Sequence, residues 1–203
     1  MIVVHHLEHS RSQRILWLLE ELGVAYEVKR YARDKKTMLA PQELKDVHPL
    51  GKAPVITDGT RTVAESGAIL EYLVEAHGGG RLRPREGTEE HLRYRHWMHY
   101  AEGSAMPPLL LRLVASRIAS APVPFFIKPV TKRIAGQLES GFIGPQIKTH
   151  FDFVESELGK SEWLAGDELT AADIQMSFPL EAAVARADVG LSLIHISEPT
   201  RPY

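Results

Sequence analysis

Glu65 and Ser66 lie where a short β-prone segment gives way to a helix-periodic one. A serine at the start of a helix caps it through its hydroxyl group, and the first backbone amides behind it have no intrahelical partner. Such a helix terminus can also hold a carboxylate. The two roles are compatible, because the amides are free in either case. The pair therefore predicts an anion site at the beginning of this helix.

A second candidate site begins at Pro54, which opens the β-branched run Val55-Ile56 ahead of an Asp58-Gly59 turn. Proline is tolerated at the first residue of a strand because that position can forgo a ladder N–H. An X-Pro bond at such a tight turn is a candidate cis peptide. A cis bond would turn the backbone of Ala53 outward, where its N–H and C=O can pair with an extended ligand as a strand would.

Four motifs, in this order, resemble the glutathione S-transferase family. They are Ser-Arg-Ser-Gln-Arg at 10–14, Gly-Lys-Ala-Pro-Val at 51–55, Glu-Ser-Gly at 65–67 and Leu-Thr-Ala-Ala-Asp-Ile at 169–174. Each is weak alone, but together and between matching elements they are specific. The resemblance runs to about residue 190. It is greatest to the bacterial and fungal serine-type branch, whose His-Tyr-Ala-Glu-Gly-Ser segment recurs at 99–104.

The resemblance implies that one early serine donates a hydrogen bond to the sulfur of glutathione. A free thiol has a pKa of about 8.5, and lowering it by about two units needs about 2.7 kcal/mol. One charge-assisted hydrogen bond and a helix terminus can supply about that much. The family's serine matches Ser10 better than Ser12, which would then cap the helix, but both remain candidates.

The resemblance also assigns the rest of the glutathione site. Lys52 would reach a carboxylate of the tripeptide, although an exposed loop lysine is the alternative interpretation. Ala53 and Pro54 would offer backbone. Glu65 would pair with the ammonium group of the γ-glutamyl moiety, while Ser66 receives its carboxylate.

The electrophile site is predicted on the helix that faces the sheet in this family, at Tyr100, Ser104 and Met106. Stripes of aromatic and aliphatic residues on a helix more often belong to the core, so a core role is the alternative. The implied function is a glutathione transferase that conjugates glutathione to a soft hydrophobic electrophile in detoxification. A glutathione-dependent peroxidase acting on organic hydroperoxides and a non-catalytic glutathione-binding regulatory module remain alternatives. The family also implies a homodimer.

The composition is that of an ordinary globular protein, with 44% hydrophobic and 25% charged residues in 203. A formal net charge of −2 argues against a nucleic-acid binder. No apolar run is long enough for a membrane span and no secretion signal is visible, so we expect a cytoplasmic protein with no membrane partner. The chain has no cysteine and no H-E-x-x-H pattern, so neither a disulfide nor a metal site is predicted.

Hydrophobic periodicity predicts an α+β fold with a thioredoxin-like domain at residues 1–80, a linker at 81–88 and an all-helical domain at 89–190. One helix is expected at 12–22 with Gly23 as its stop. Long helices are expected at 89–119, broken or kinked at Pro107-Pro108, and at 130–158. Thr170 and Asp173 form a capping box, which we interpret as structural.

Residues 191–203 have no helical period and contain two prolines. They look like a translated sequencing adapter, so we expect a non-native tail and a native protein that is longer at its C-terminus. The helical domain would then be incomplete, and apolar surface on the 130–158 helix would lack its cover.

Overall fold

The computed structural model describes residues 1–8 and 10–187, and the prediction for residues 191–203 lies outside them. The described strands are β1 Ile2–Leu7, β2 Tyr26–Tyr31, β3 Val55–Asp58 and β4 Arg61–Ala64. Among them lie the helices α1 Ser12–Leu22, α2 Gln42–Val47 and α3 Ser66–His77. A helical part follows, with α4 Glu89–Tyr100, α5 Met106–Ala119, α6 Lys128–Leu138, α7 Gly144–Leu158 and α8 Ala171–Ala187.

The four strands form one sheet in the order β2-β1-β3-β4. Strand β1 is parallel to β2, because α1 carries the chain back across the sheet between them. Strand β3 runs antiparallel to β1, with Val4 opposite Ile56, and the β3–β4 hairpin pairs Val55 with Ala64. The sheet with its helices confirms the predicted thioredoxin-like fold followed by an all-helical part.

One apolar core joins the sheet to the helical part. On one face of the sheet, Val4 and Ile56 pack with Leu18 of α1 and Leu70 of α3, all fully buried. Helix α8 contacts α1, α3, α4 and α5, so the same core continues into the helices. The opposite face carries a small cluster of Leu7, Tyr31 and Leu44, which α2 covers.

The segment between α3 and α4 is fastened at both ends. Arg81 donates from Nη2 to the carbonyl of Leu22 at 2.6 Å, at the C-terminal end of α1. The Leu82 carbonyl accepts the N–H of Ala171, the first residue of α8, at 2.9 Å. The linker predicted at 81–88 therefore ties the two parts together.

The break predicted at Pro107-Pro108 takes the form of a π-helical turn at Ala101–Ala105. The prolines have no N–H to donate to the carbonyls four residues earlier, so the hydrogen-bond ladder shifts by one residue. The N–H of Met106 accordingly donates to the carbonyl of Ala101. The helix continues through the prolines, since Ala105 keeps helical angles of φ −72° and ψ −41°.

The same feature recurs before Pro145. A π turn at Glu139–Ile143 joins α6 to α7, and the N–H of Gly144 donates to the carbonyl of Glu139. The predicted 130–158 helix is thus present as one rod that begins at Lys128. No helix in the described part of the chain is both long and apolar enough to cross a bilayer.

Asp173 holds the start of α8 to the loop before it. Its Oδ2 accepts from the N–H of Thr170 at 2.9 Å and from the Thr170 hydroxyl at 2.8 Å. Its Oδ1 accepts the N–H of Leu164 at 2.8 Å, and the Asp173 side chain is fully buried. All of these contacts are internal, as the structural interpretation of the capping box predicts.

Asp173→Ala should lower the free energy of unfolding by about 3 kcal/mol, because it leaves three buried donors without an acceptor. Urea denaturation followed by circular dichroism measures the loss. The control is Asp152→Ala, which removes an exposed carboxylate paired with Lys148 and should cost less than about 1 kcal/mol. Equal losses in the two variants would contradict the role assigned to Asp173.

Candidate functional site

A groove lies on the thioredoxin-like part and borders the helical part at Glu102. It consists of two adjoining clefts of about 330 and about 310 Å³. Arg11, Leu50, Lys52 and Ala53 line both clefts, which makes them continuous. Ser66 lies in the first cleft and Ser10 in the second. The structure thus brings together six of the seven residues predicted for catalysis and glutathione binding: Ser10, Lys52, Ala53, Pro54, Glu65 and Ser66.

The middle of the groove is backbone. The Ala53–Pro54 peptide bond is cis, as predicted. Among the described residues, no hydrogen bond is recorded for the N–H or the carbonyl of Ala53, so both groups are available to an extended ligand. Gly51 shapes the approach to this segment with a φ of +55°, and a Cβ at that position would lie 2.8 Å from Cγ of Lys45.

The first cleft ends at the N-terminus of α3. The N-cap position of this helix is one residue earlier than predicted. Glu65 rather than Ser66 occupies the N-cap position, and no side chain caps the helix. The first hydrogen bond of the helix joins the N–H of Ile69 to the carbonyl of Glu65, so the amides of Ser66, Gly67 and Ala68 have no intrahelical acceptor. Glu65 has a φ of +75°, an unfavourable conformation for a residue with a side chain and one that often marks functional sites.

The Ser66 hydroxyl group is already oriented. Ser66 is 4% exposed, and its Oγ accepts a hydrogen bond from Nη1 of Arg14 at 3.1 Å. A hydroxyl has one hydrogen and two lone pairs, and a guanidinium can only donate. The arginine therefore occupies a lone pair and leaves the hydrogen of Ser66 free to donate to an anion in the groove.

Arg14 is a buried cation at the junction of the two parts. Its side chain is 1% exposed, and the two hydrogens of Nη1 are shared among Ser66 and two further acceptors, Glu102 Oε1 at 2.7 Å and Gln175 Oε1 at 3.0 Å. Its Nε and Nη2 have no hydrogen-bond partner among the described residues, and the guanidinium lies 5.2 Å from the ring centroid of Phe178. Burial lowers the pKa of Arg14 to about 10 while Glu102 raises it, so the group is cationic at neutral pH.

Glu102 is a charged groove residue that the sequence analysis missed. Its Oε1 accepts from Nε of Arg11 at 2.9 Å as well as from Arg14, and both Glu102 and Arg11 line the first cleft. Glu102 lies in the π turn ahead of the two prolines. Its presence in the family-like segment at 99–104 was the one available signal, because nothing local predicts an ion pair across 88 residues.

Ser10 and Ser12 form a hydrogen-bonded pair at the other end of the groove. Their Oγ atoms lie 2.7 Å apart, and the N–H of Ser12 donates to Ser10 Oγ at 3.3 Å. Arg11 is the N-cap of α1 without a side-chain cap, so the capping contact predicted for Ser12 is replaced by this contact to Ser10. Ser10 is partly exposed and lines the groove, whereas Ser12 is fully buried.

The three residues predicted for the electrophile site are not among those that line the groove. The Tyr100 hydroxyl lies 2.6 Å from Nδ1 of His150, and burial raises the pKa of Tyr100 to about 12. Met106 is 7% exposed and belongs to the apolar core, as the alternative interpretation expected. Ser104 is partly exposed in the π turn. His48, which the predicted set did not include, does line the first cleft.

Within the part of the chain that the structure describes, no group of three or more histidine or carboxylate side chains could hold a metal ion. The groove presents hydroxyl groups at Ser10 and Ser66, the free amides of α3, the cations Arg11 and Lys52 and the carboxylates Glu65 and Glu102. Such groups can bind a zwitterionic, extended ligand and stabilise a negative charge near Ser10.

Comparisons with known proteins find relatives of one family. The family models for the glutathione S-transferase N-terminal domain and C-terminal domain match residues 1–75 and 144–194. Glutathione S-transferase 1 of Saccharomyces cerevisiae is 35% identical, over 92% of this chain and 82% of its own length. Glutathione S-transferase 3 of Schizosaccharomyces pombe is 38% identical, over 90% and 74%. A glutathione S-transferase crystal structure from Actinobacillus pleuropneumoniae is 33% identical, with a TM-score of 0.73 over 97% of this chain and 85% of that one.

Arg14→Ala should lower the free energy of unfolding by about 3 kcal/mol, because it removes a buried side chain and leaves its buried acceptors unpaired. Urea denaturation measures the change. Arg11→Ala is the matched control, since Arg11 shares Glu102 but is 35% exposed, and we expect a loss of about 1 kcal/mol or less. A smaller loss for Arg14→Ala than for Arg11→Ala would contradict the central place of Arg14.

Proposed function

The chain belongs to the glutathione S-transferase family, and we propose that it binds reduced glutathione in the groove and conjugates it to a soft hydrophobic electrophile. The observation that carries the proposal is the order of groups along the groove. Free helix amides lie at Ser66, an unpaired backbone segment at Ala53 and a serine pair at Ser10. This order suits a tripeptide with an amino-acid end, a peptide backbone and a thiol.

In the proposed complex, Ser66 and the first amides of α3 receive the γ-glutamyl carboxylate, and Glu65 pairs with the ammonium group. The cysteinyl backbone pairs with Ala53 beside the cis bond to Pro54. Lys52 lines both clefts and is close enough to the middle of the groove to hold the glycyl carboxylate.

Ser10 is the proposed donor to the sulfur. Its Oγ already accepts the N–H of Ser12 and can also accept the Ser12 hydroxyl. When the Ser12 hydroxyl donates to Ser10, the hydrogen of Ser10 is left to stabilise a thiolate. Ser12 would act through Ser10, because its side chain is fully buried.

The reaction then needs no base from the protein. The thiol loses its proton to solvent, and the thiolate attacks the electrophile, so that a carbon–sulfur bond forms as the leaving group departs with its electron pair. The rate would come from a larger thiolate population and from proximity. The electrophile site at Tyr100, Ser104 and Met106 remains a prediction, with Ser104 two residues from the groove residue Glu102.

We assign this activity to detoxification in the cytoplasm, where glutathione is kept reduced. A peroxidase acting on organic hydroperoxides would use the same thiolate, and a regulatory module would use the same binding site without turnover. Turnover with halogenated nitrobenzenes but not with organic hydroperoxides supports the transferase. The reverse profile, or tight glutathione binding without turnover, would replace it with one of the alternatives.

Ser10→Ala should raise the pKa of bound glutathione by about one to two units, since the helix terminus remains, and lower kcat/KM at pH 7 several-fold. The effect should fade above the pKa of the free thiol, where solvent alone ionises the sulfur. Ultraviolet titration of the bound thiolate and the pH profile of kcat/KM measure both. Ser12→Ala should have a smaller effect. A thiol that titrates in the unsubstituted protein as it does in free solution would remove the transferase proposal.

A homodimer is proposed from an exposed apolar row on the α6 side. Val130, Ile134, Leu138 and Phe142 are each between 44% and 55% exposed, which is unusual for a row at helical spacing on a protein surface. A second copy of the chain would cover such a face in a two-fold dimer.

Leu138→Lys should therefore shift the protein from dimer to monomer in sedimentation velocity, because a buried charge at the interface costs several kcal/mol. Lys132→Glu, on another face of the same helix, should leave the dimer intact. A monomeric unsubstituted chain, or a dimer that tolerates Leu138→Lys, would show that this row is not covered by a second copy of the chain.

A further inference from the structure

We propose that Glu102, from the helical part, is a positioning residue for the carboxylate end of the ligand, acting through Arg14 on the Ser66 hydroxyl. The inference rests on the proposed binding of glutathione but is not required by it. The free amides of α3 could hold a carboxylate without any help from the helical part.

Arg14 orients the hydroxyl group of Ser66. A serine hydroxyl rotates, and an unoriented one can present a lone pair to the groove instead of its hydrogen. The contact of 3.1 Å from Arg14 Nη1 occupies a lone pair of Ser66 Oγ, so the hydrogen is left for an anion. Arg14 itself does not line the groove, and its effect on the ligand passes through Ser66.

Glu102 holds Arg14 in position. One carboxylate oxygen, Glu102 Oε1, accepts from Arg14 at 2.7 Å and from Arg11 at 2.9 Å. It therefore holds two like charges together at the groove. Without that negative charge, the two cations would repel each other, and the buried guanidinium would keep only the neutral acceptors of Ser66 and Gln175.

Two of the residues that hold Arg14 belong to the helical part. Glu102 lies on the π turn between α4 and α5, and Gln175 lies on α8, whereas Arg14 and Ser66 belong to the thioredoxin-like part. The carboxylate site is thus completed across the junction of the two parts. This arrangement predicts selectivity for a ligand that carries the carboxylate, not a general gain in affinity.

A purely electrostatic role for Glu102 predicts the opposite effect on ligand binding from a positioning role. If Glu102 were only a negative charge beside the groove, its removal would favour an anionic ligand by simple electrostatics. Glu102→Gln would then tighten glutathione binding. If Glu102 positions the hydroxyl through Arg14, the same substitution weakens it.

The experiment compares two S-methylated ligands on the full chain by calorimetry. One is S-methylglutathione, and the other is 4-aminobutyryl-S-methylcysteinyl-glycine, which lacks only the γ-glutamyl α-carboxylate. The methyl group removes thiol ionisation from the measurement. In Glu102→Gln, the preference for S-methylglutathione should fall by about tenfold, the effect of losing one charge-assisted contact. Because both Kd values come from one protein, a smaller folded fraction changes both equally and leaves their ratio intact.

Glu139→Gln is the matched control, since Glu139 also lies in a π turn and pairs with an arginine, Arg112. It does not line the groove, so the preference should stay within about twofold of the unsubstituted chain. Ser66→Ala should lower the preference as Glu102→Gln does, and the two substitutions together should cost less than the sum of their separate effects.

An unchanged or increased preference in Glu102→Gln would overturn the inference, as would additive losses in the double variant. These outcomes leave the proposed function standing, provided that the unsubstituted chain binds S-methylglutathione. Failure of the unsubstituted chain to bind either ligand would instead remove the proposed function, and the inference with it.

Discussion

The buried charge of Arg14 is the constraint on which the rest of this structure depends. Taking a guanidinium out of water costs several kcal/mol unless a counter-ion and hydrogen-bond acceptors compensate for the lost hydration. Here the compensation comes from Ser66 on α3, Glu102 in the π turn and Gln175 on α8. A residue in the first turn of α1 therefore fixes three other segments, and two of its partners belong to the helical part.

Much of the fold could be predicted, because its signals are local. The bounds of α1 were correct since its apolar residues follow helical spacing and Gly23 ends it in the left-handed conformation. The cis bond at Pro54 followed from a proline at a strand start, and the Asp173 contacts followed from a threonine three residues earlier. In each case the residues that interact lie within a few positions of one another.

What escaped prediction depends on contacts between distant segments. Sequence places Glu102 on a helix but cannot show that Glu102 contacts Arg14, which is 88 residues away. Nor can it show that Gln175 contacts Arg14 across 161 residues. The two serines expected as caps are instead the first residues inside their helices. Their side chains are held by buried contacts and not by capping. Ser66 is buried against Arg14 and Ser12 against Ser10.

The prolines show how a local defect can serve a distant site. Pro107 and Pro108 cannot donate to the preceding turn, and the π turn that results adds a residue to the helix just where Glu102 must point towards α1. A regular helix would rotate every residue on one side of the defect by about 100° relative to the other. Glu102 lies near the start of the defect and the core residue Leu109 lies beyond it, so a regular helix could not present both to their present partners. The defect therefore reconciles packing of the core with completion of the groove, which explains why an irregular turn lies at the point where the two parts meet.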